Sequence, residues 1–315
     1  MTTPRASIVR GPAIIQFKGI TIYTKTDFVV RPIMALSPVE SSMFGTVDQT
    51  VDDFMWQFDF QHDGQLIDAH IPVLWPYASA LPGTSVMGAA DSDIIIWSKA
   101  GTKITFKAGG VTQMPNIGLA PNATLIGPMQ LTAIGKNDTL WNAEGKWTEL
   151  EASAFVDVSF DKSTIKKMAY TGTWGAVSPW NAWDTEAGLN VNFNLSLSPD
   201  KAAQEGTIDY VFDNLTATVN ATAIGIDEED ISDALDISDT AFLPGVALGT
   251  LTHNNTLSIG AGTGNPAFAM TGASLVDTSL IYGRPKRVGE CTWQSTRTFA
   301  TGVQNPLFTL SYSAA

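Results

Sequence analysis

A single cysteine, Cys291, stands among 315 residues, so the chain can form no internal disulfide and no thiol-rich metal site. Histidine is scarce as well. His62, His70 and His253 are scattered; His62 and His70 could meet across a turn, but neither has a partner three or four positions later, the spacing that sets two ligands on one helix face, and no Cys is near. No metal is expected. Charged residues make up only 16% of the chain, against about 25% in typical soluble domains, which points to a surface largely covered by neighbours. What charge there is leans acidic, 31 Asp and Glu against 18 Lys and Arg, for a net charge of −13. Tight phosphate binding requires clustered cations. The only short basic group, Arg284, Lys286 and Arg287, is interrupted by Pro285 and reads as a solvated loop. DNA that merely passes nearby is compatible with this balance. Long apolar runs are missing too. Ile8, Val9, Ile14 and Ile15 are interleaved with Arg10, Gln16 and Lys18, so the first thirty residues hold no signal-peptide core and no stretch that could span a bilayer. No membrane partner is expected, and triplets such as Asn122-Ala-Thr and Asn220-Ala-Thr read as turn and strand residues.

Catalytic and cofactor-binding patterns are equally lacking. There is no strand-to-helix serine elbow, no phosphate-binding Gly-Lys-Ser/Thr loop and no His-Glu-x-x-His pair, and Gly260, Gly262 and Gly264 read as a hairpin turn. The densest carboxylate group, Asp227, Glu228, Glu229, Asp230 and Asp233, suits a solvated helix start better than an acid/base pair. Trp174, Trp180 and Trp183 could stack on sugar rings, but in a Pro- and Gly-containing loop they fit a protein contact better. No enzyme and no cofactor are expected.

What the sequence does have is alternation. With 44% hydrophobic residues, 27 Gly and 16 Pro, the composition suits short strands and turns. Phe54, Trp56, Phe58 and Phe60 fall on one face of a strand, with Met55, Gln57, Asp59 and Gln61 on the other. Leu189, Val191, Phe193, Leu195 and Leu197 likewise oppose Asn190, Asn192, Asn194, Ser196 and Ser198. Further strands are expected at 20–24, 28–31, 94–98, 103–108, 128–134, 207–212, 215–221, 267–271, 290–298 and 307–311. Two short helices are expected, one within 68–78 and one within 227–235, each with apolar residues at helical spacing.

The length suits two domains of roughly 150 residues each, and the halves match. A shift of 162 places Phe106 on Phe268, Gly127 on Gly289 and Leu131 on Trp293, with Asp93 on Asn255 and Ala108 on Met270. A shift of 137 places Phe54, Trp56, Phe58 and Phe60 on Val191, Phe193, Leu195 and Leu197, leaving an insertion near 207–230 in the second half. The expected architecture is therefore all-β: two tandem β-sandwich domains, 1–150 and 151–315, each with one short flanking helix. Residues 31–50, with Pro32, Pro38 and Gly45, are expected to form a loop carrying exposed Met34, Leu36 and Phe44, and the stretch 174–186 with Trp180 and Trp183 is its expected counterpart.

Several runs carry a resemblance: Gly11-Pro-Ala-Ile-Ile-Gln-Phe with Tyr23-Thr-Lys, Val73-Leu-Trp-Pro-Tyr followed by Gly83-Thr-Ser, Leu125-Ile-Gly-Pro-Met-Gln-Leu-Thr-Ala-Ile-Gly, and Trp293-Gln-Ser-Thr-Arg-Thr-Phe. Together they resemble tail tube (major tail) proteins of long-tailed bacteriophages. The resemblance implies a β-sandwich with a small flanking helix, stacked into rings around a β-lined channel for double-stranded DNA. It implies a virion protein of the tail, assembled in the host cytoplasm, with other tail proteins at the tube ends. With two tube-like domains per chain, trimeric rings are expected in place of hexamers. Asn190, Asn192, Asn194, Ser196, Gln57 and Asp59 are the candidate channel-facing residues, and Met34, Leu36, Phe44, Trp180 and Trp183 the candidate contacts between rings. A carbohydrate-binding β-sandwich and a head-decoration protein are the alternatives.

Overall fold

The computed structural model describes residues 13–134 apart from 26–27, 63–64, 67, 88–91, 99–102 and 121–122. Beyond that it describes 166–167, 173–174, 183–203, 206–225, 228, 244–245, 255–259, 266–282, 288–295, 299–300, 303–304 and 306–312. The chain is all-β. In order, the described strands are β1 (Ala13–Phe17), β2 (Ile20–Ile22), β3 (Val29–Ser41), β4 (Gly45–Gln61), β5 (Gln65–Leu66), β6 (Ile94–Ser98), β7 (Lys103–Phe106) and β8 (Gly109–Gln113). There follow β9 (Ile117–Ala120), β10 (Ala123–Ile126), β11 (Pro128–Ala133), β12 (Lys166–Lys167), β13 (Thr173–Trp174), β14 (Trp183–Ala202) and β15 (Gly206–Ile224). The last are β16 (Asn255–Ile259), β17 (Pro266–Ile281), β18 (Val288–Ser295), β19 (Phe299–Ala300), β20 (Val303–Gln304) and β21 (Phe308–Tyr312). The first expected helix is a 3₁₀ turn, Asp68–His70, running into α1 (Ile71–Leu74). The second lies outside the described residues except for Glu228.

All strand pairings are antiparallel, and three sheets dominate. One has the order β2-β1-β6-β7, a second β3-β4-β11-β8, and the largest β10-β9-β14-β15-β18-β17-β16, with β13 added on β14 and β21 on β17. The first two pack face to face. Phe106 of β7 meets Trp56 and Phe58 of β4, ring centroids 5.3 and 4.9 Å away, because the alternation in both strands sends their aromatic rings to the same side. In the large sheet Phe268, with Phe308, packs on Phe193. The expected shift of 162 holds for β11 and β18 but not for β6 to β8: Ile94↔Phe106 and Val111↔Leu131 would become 256↔268 and 273↔293, whereas the pairs formed are Ile259↔Phe268 and Leu275↔Trp293. One cluster of buried side chains joins both halves; Phe17, Phe58, Phe212 and Trp293 are fully buried within it.

The structure corrects the expected loop at 31–50. Residues 29–61 form one long hairpin, β3 against β4, in register from Val29↔Asp59 to Ser41↔Gly45. The misleading signal was proline. β3 is an edge strand, so Pro32 and Pro38 cost the sheet no essential donor. The expected break between 207–212 and 215–221 is likewise absent, since β15 runs through both.

The second hairpin, β14 against β15, copies the first at a shift of 161. Val30↔Phe58 corresponds to Val191↔Val219, Ala35↔Asp53 to Ser196↔Asn214, Leu36↔Val51 to Leu197↔Phe212, and Ser41↔Gly45 to Ala202↔Gly206. Even the irregularities recur. The register shifts after Ala35 and Val39 in one hairpin and after Ser196 and Asp200 in the other. Ser37 donates to Asp52 at one site, and Ser198 to Asp213 at the other. Gly45 and Gly206 close the two turns with φ of +72° and +71°, a backbone state that side chains resist. β4 therefore corresponds to β15, not to β14. The shift of 137, the insertion at 207–230 and the pairing of 31–50 with 174–186 are all corrected, and 31–50 corresponds to 192–211. The physical cause is the period of two. Shifts of 137 and 161 differ by an even number, so alternation alone fits both.

Where β4 leaves its sheet, His62 and His70 do meet, ring centroids 5.3 Å apart and both buried. Burial, with a further push from His70, lowers the His62 pKa from 6.5 to about 3. Between those values the unfolded chain holds a proton that the folded one does not, so folding stability falls as the pH drops from about 6.5. The expected slope is about 1.4 kcal/mol per pH unit. Urea unfolding of wild type and His62→Gln at pH 7 and pH 5 measures it, and the variant is expected to lose less stability over that interval.

Candidate functional site

Two polar sheet faces and two arms make up the candidate site. On the first face, Asp59 of β4 is held from three sides. Arg31 on β3 approaches it at 3.0 Å, and the amides of Gln57 and Gln130 each donate to its Oδ1 at 2.8 Å. Thr112 on β8 extends the row, donating to Gln130 and hydrogen-bonded to Thr132. Gln57 is buried beneath this network, and Asp59 is half-buried. Arg31 and Asp59 cancel each other in charge.

On the second face, at the corresponding positions, the charges are gone. Asn192 stands for Arg31, Thr218 for Gln57, Asn220 for Asp59 and Thr292 for Gln130. Thr292 donates to Asn220 at 2.9 Å, as Gln130 does to Asp59. Asn190, Asn194 and Ser196 on β14 are exposed and Asn192 is half-buried, while Leu189, Val191 and Phe193 turn into the core. A groove of about 630 Å³ runs over this face, lined by Asn190, Asn220 and Thr292 and further by Asp277 and Glu290. Both central rows thus offer hydrogen bonds without net charge, and the carboxylates of Asp277 and Glu290 in the groove would repel phosphate.

The two arms have the same backbone and opposite surroundings. Along β15 lie residues 83–86, joined to it by an isolated bridge, Ser85↔Val211. The Gly83 amide donates to Phe212 O at 2.8 Å, the Phe212 amide to Thr84 O at 2.9 Å, and the Val86 amide to Tyr210 O at 2.9 Å. Phe212 is fully buried and stacks on Tyr77 at 5.4 Å. On the other side, β9 pairs with β14 at Leu119↔Leu189 and Ile117↔Val191. Along the first arm no described strand pairs with the outer edge of β3, and residues 49–51, equivalent to 210–212, are exposed. Val51, which corresponds to Phe212, is 59% exposed. Of the candidate contacts, Met34 and Leu36 lie on β3 and Phe44 in the turn, all exposed. Trp180 lies outside the described residues, and Trp183 is described only by its backbone pairing with Trp174.

The sequence matches no family model and no curated protein. Among the described residues no group of three or more His, Cys, Asp and Glu side chains is placed to hold a metal ion.

One contact between the hairpins escaped the sequence reading. The tip of the second hairpin docks on the middle of the first: the Thr207 hydroxyl and amide donate to the Asp53 carboxylate at 2.5 and 3.1 Å, and Lys201 Nζ lies 3.6 Å away. Burial opposes ionisation of Asp53, but the two Thr207 bonds and Lys201 hold its pKa below the ordinary value. The signal that could have found it is a repeat in plain view. Leu36-Ser-Pro, then Gly45-Thr-x-Asp and Asp52, recurs as Leu197-Ser-Pro, Gly206-Thr-x-Asp and Asp213.

Proposed function

We propose that this chain is a structural subunit without catalytic activity, which assembles with copies of itself into stacked rings and forms the tail tube of a long-tailed bacterial virus. The observation that carries this reading is the pair of matching arms: residues 83–86 bond along the second at Tyr210 and Phe212, while the equivalent stretch of the first, Gln49 to Val51, stands exposed. A contact satisfied once per chain and left open once per chain is what a head-to-tail assembly requires, and such an assembly either closes into a ring or grows as a filament. Two repeats per chain make three chains, with six repeats, the expected ring. Tail-end proteins cap the tube, the tail is the site of action, and assembly takes place in the host cytoplasm.

Double-stranded DNA passes through the channel without specific binding. Amide and hydroxyl groups on the two polar faces keep a wall wet, and among the described residues of those faces the cation Arg31 is paired with Asp59, which leaves phosphates little to adhere to. Arg31 has Asp59 to neutralise it, whereas a lysine at position 192 would meet Asn220 in place of a carboxylate. Asn192→Lys with Asn194→Lys is expected to leave tube assembly intact and to lower infectivity about tenfold or more, by trapping DNA in transit. Electron microscopy of the purified protein tests the reading itself: stacked rings with three chains each are expected, and a monodisperse monomer at every concentration would overturn it.

A further inference from the structure

We propose that the tip of the first hairpin docks on Asn214 of a second copy of this chain, repeating between molecules the contact that the second hairpin's tip makes with Asp53 within one. The inference deepens the assembly reading and rests on it.

The two hairpins are equivalent position by position. Within the chain, Gly206, Thr207 and Lys201 at the second tip sit on Asp52 and Asp53 of the first hairpin. The same register places Gly45, Thr46 and Glu40 at the first tip, and Asp213 and Asn214 midway along the second hairpin. Gly and Thr are identical in both tips. The charged pair changes in concert. Where Lys201 meets the Asp53 carboxylate, Glu40 would accept a hydrogen bond from the Asn214 amide, and Thr46 would donate to the Asn214 oxygen as Thr207 does to Asp53. Asn214, Thr46 and Glu40 are all exposed in the single chain, so the partner groups are available.

Two further observations point the same way. Met43 and Phe44 at the first tip are 81% and 76% exposed, and Val51 behind them is 59% exposed, an apolar surface of a kind that marks an interface. Leu81-Pro82-Gly83, which leads into the segment along β15, recurs as Leu243-Pro244-Gly245, with φ of +91° and +93° at the two glycines. Each chain thus also carries, on its second half, a counterpart of the turn that opens that segment. The contact is heterologous: one copy offers its first-hairpin tip, the next its second hairpin.

Gly45 provides the sharpest test. A Cβ at Gly206 would come within 2.7 Å of Asp52 O, whereas a Cβ at Gly45 meets nothing within 4 Å in the single chain. If the contact recurs in trans, Gly45→Ala meets the Asp213 carbonyl of the second copy. The variant is expected to fold with Tm lowered by only a few degrees and to require at least tenfold more protein for half-assembly. Independently, Thr46→Cys protein mixed with Asn214→Cys protein and treated with a short bismaleimide is expected to give a linked dimer that neither variant gives alone. Cys291 is a quiet background, since burial raises its thiol pKa to about 11. Rings or tubes that give no mixed cross-link, or a Gly45→Ala protein that assembles like wild type, would overturn this contact and leave the assembly reading standing. A wild-type protein that never assembles would overturn both.

Discussion

Replacing residues 37–50 with a two-residue Asn-Gly turn between Leu36 and Val51 is expected to give a folded, soluble monomer that no longer assembles. Leu36 and Val51 are a paired position, so the shortened hairpin keeps its register, and Asn-Gly supplies the turn that matches strand twist. The removed residues contribute no buried side chain to the core. Asp53, which holds the second arm through Thr207, is retained. Loss of stability should therefore stay within about 1 kcal/mol, while the apolar groups that need a neighbour, Met43 and Phe44 above all, are gone. Sedimentation and negative-stain imaging measure the result. Tubes of normal length from this variant would count decisively against the arm as an assembly element.

The second large effect separates two residues that occupy the same place in the repeat. Phe212→Ala should destabilise the monomer by about 3–5 kcal/mol, because the ring is fully buried against Tyr77 and the surrounding backbone is tied to residues 83–86. Val51→Ala, at the equivalent position, should change monomer stability by less than about 0.5 kcal/mol, since its side chain stands in solvent. Its cost should appear in assembly instead, as a severalfold rise in the concentration needed for half-assembly. Denaturant unfolding reads the first and light scattering the second. Equal losses of monomer stability would mean that the two arms do not differ in cover as their surroundings indicate.

The all-β class, most strand positions and the buried faces of β4 and β14 were legible in the sequence, because they depend on local quantities. Phe54, Phe58 and Phe60 announce a buried face by alternating with Gln57 and Asp59, whatever lies around them. The shift of 162 was legible at β11 and β18, where Leu131 and Trp293 occupy matching places, Leu131 opposite Phe58 and Trp293 opposite Val219. What alternation cannot carry is which strand corresponds to which, since every even displacement preserves the phase. That choice was made by the hairpins, whose bulges, glycine turns and Ser–Asp bonds match only at 161. Nor could proline in an exposed segment distinguish a loop from an edge strand, because the difference lies in whether a partner needs its missing amide. The clamp of Asp53, Thr207 and Lys201 joins residues some 150 positions apart. Composition and spacing set which residues could bond, but only the packing of one arm across the other decided that these three do, and left their counterparts Asn214, Thr46 and Glu40 facing outward.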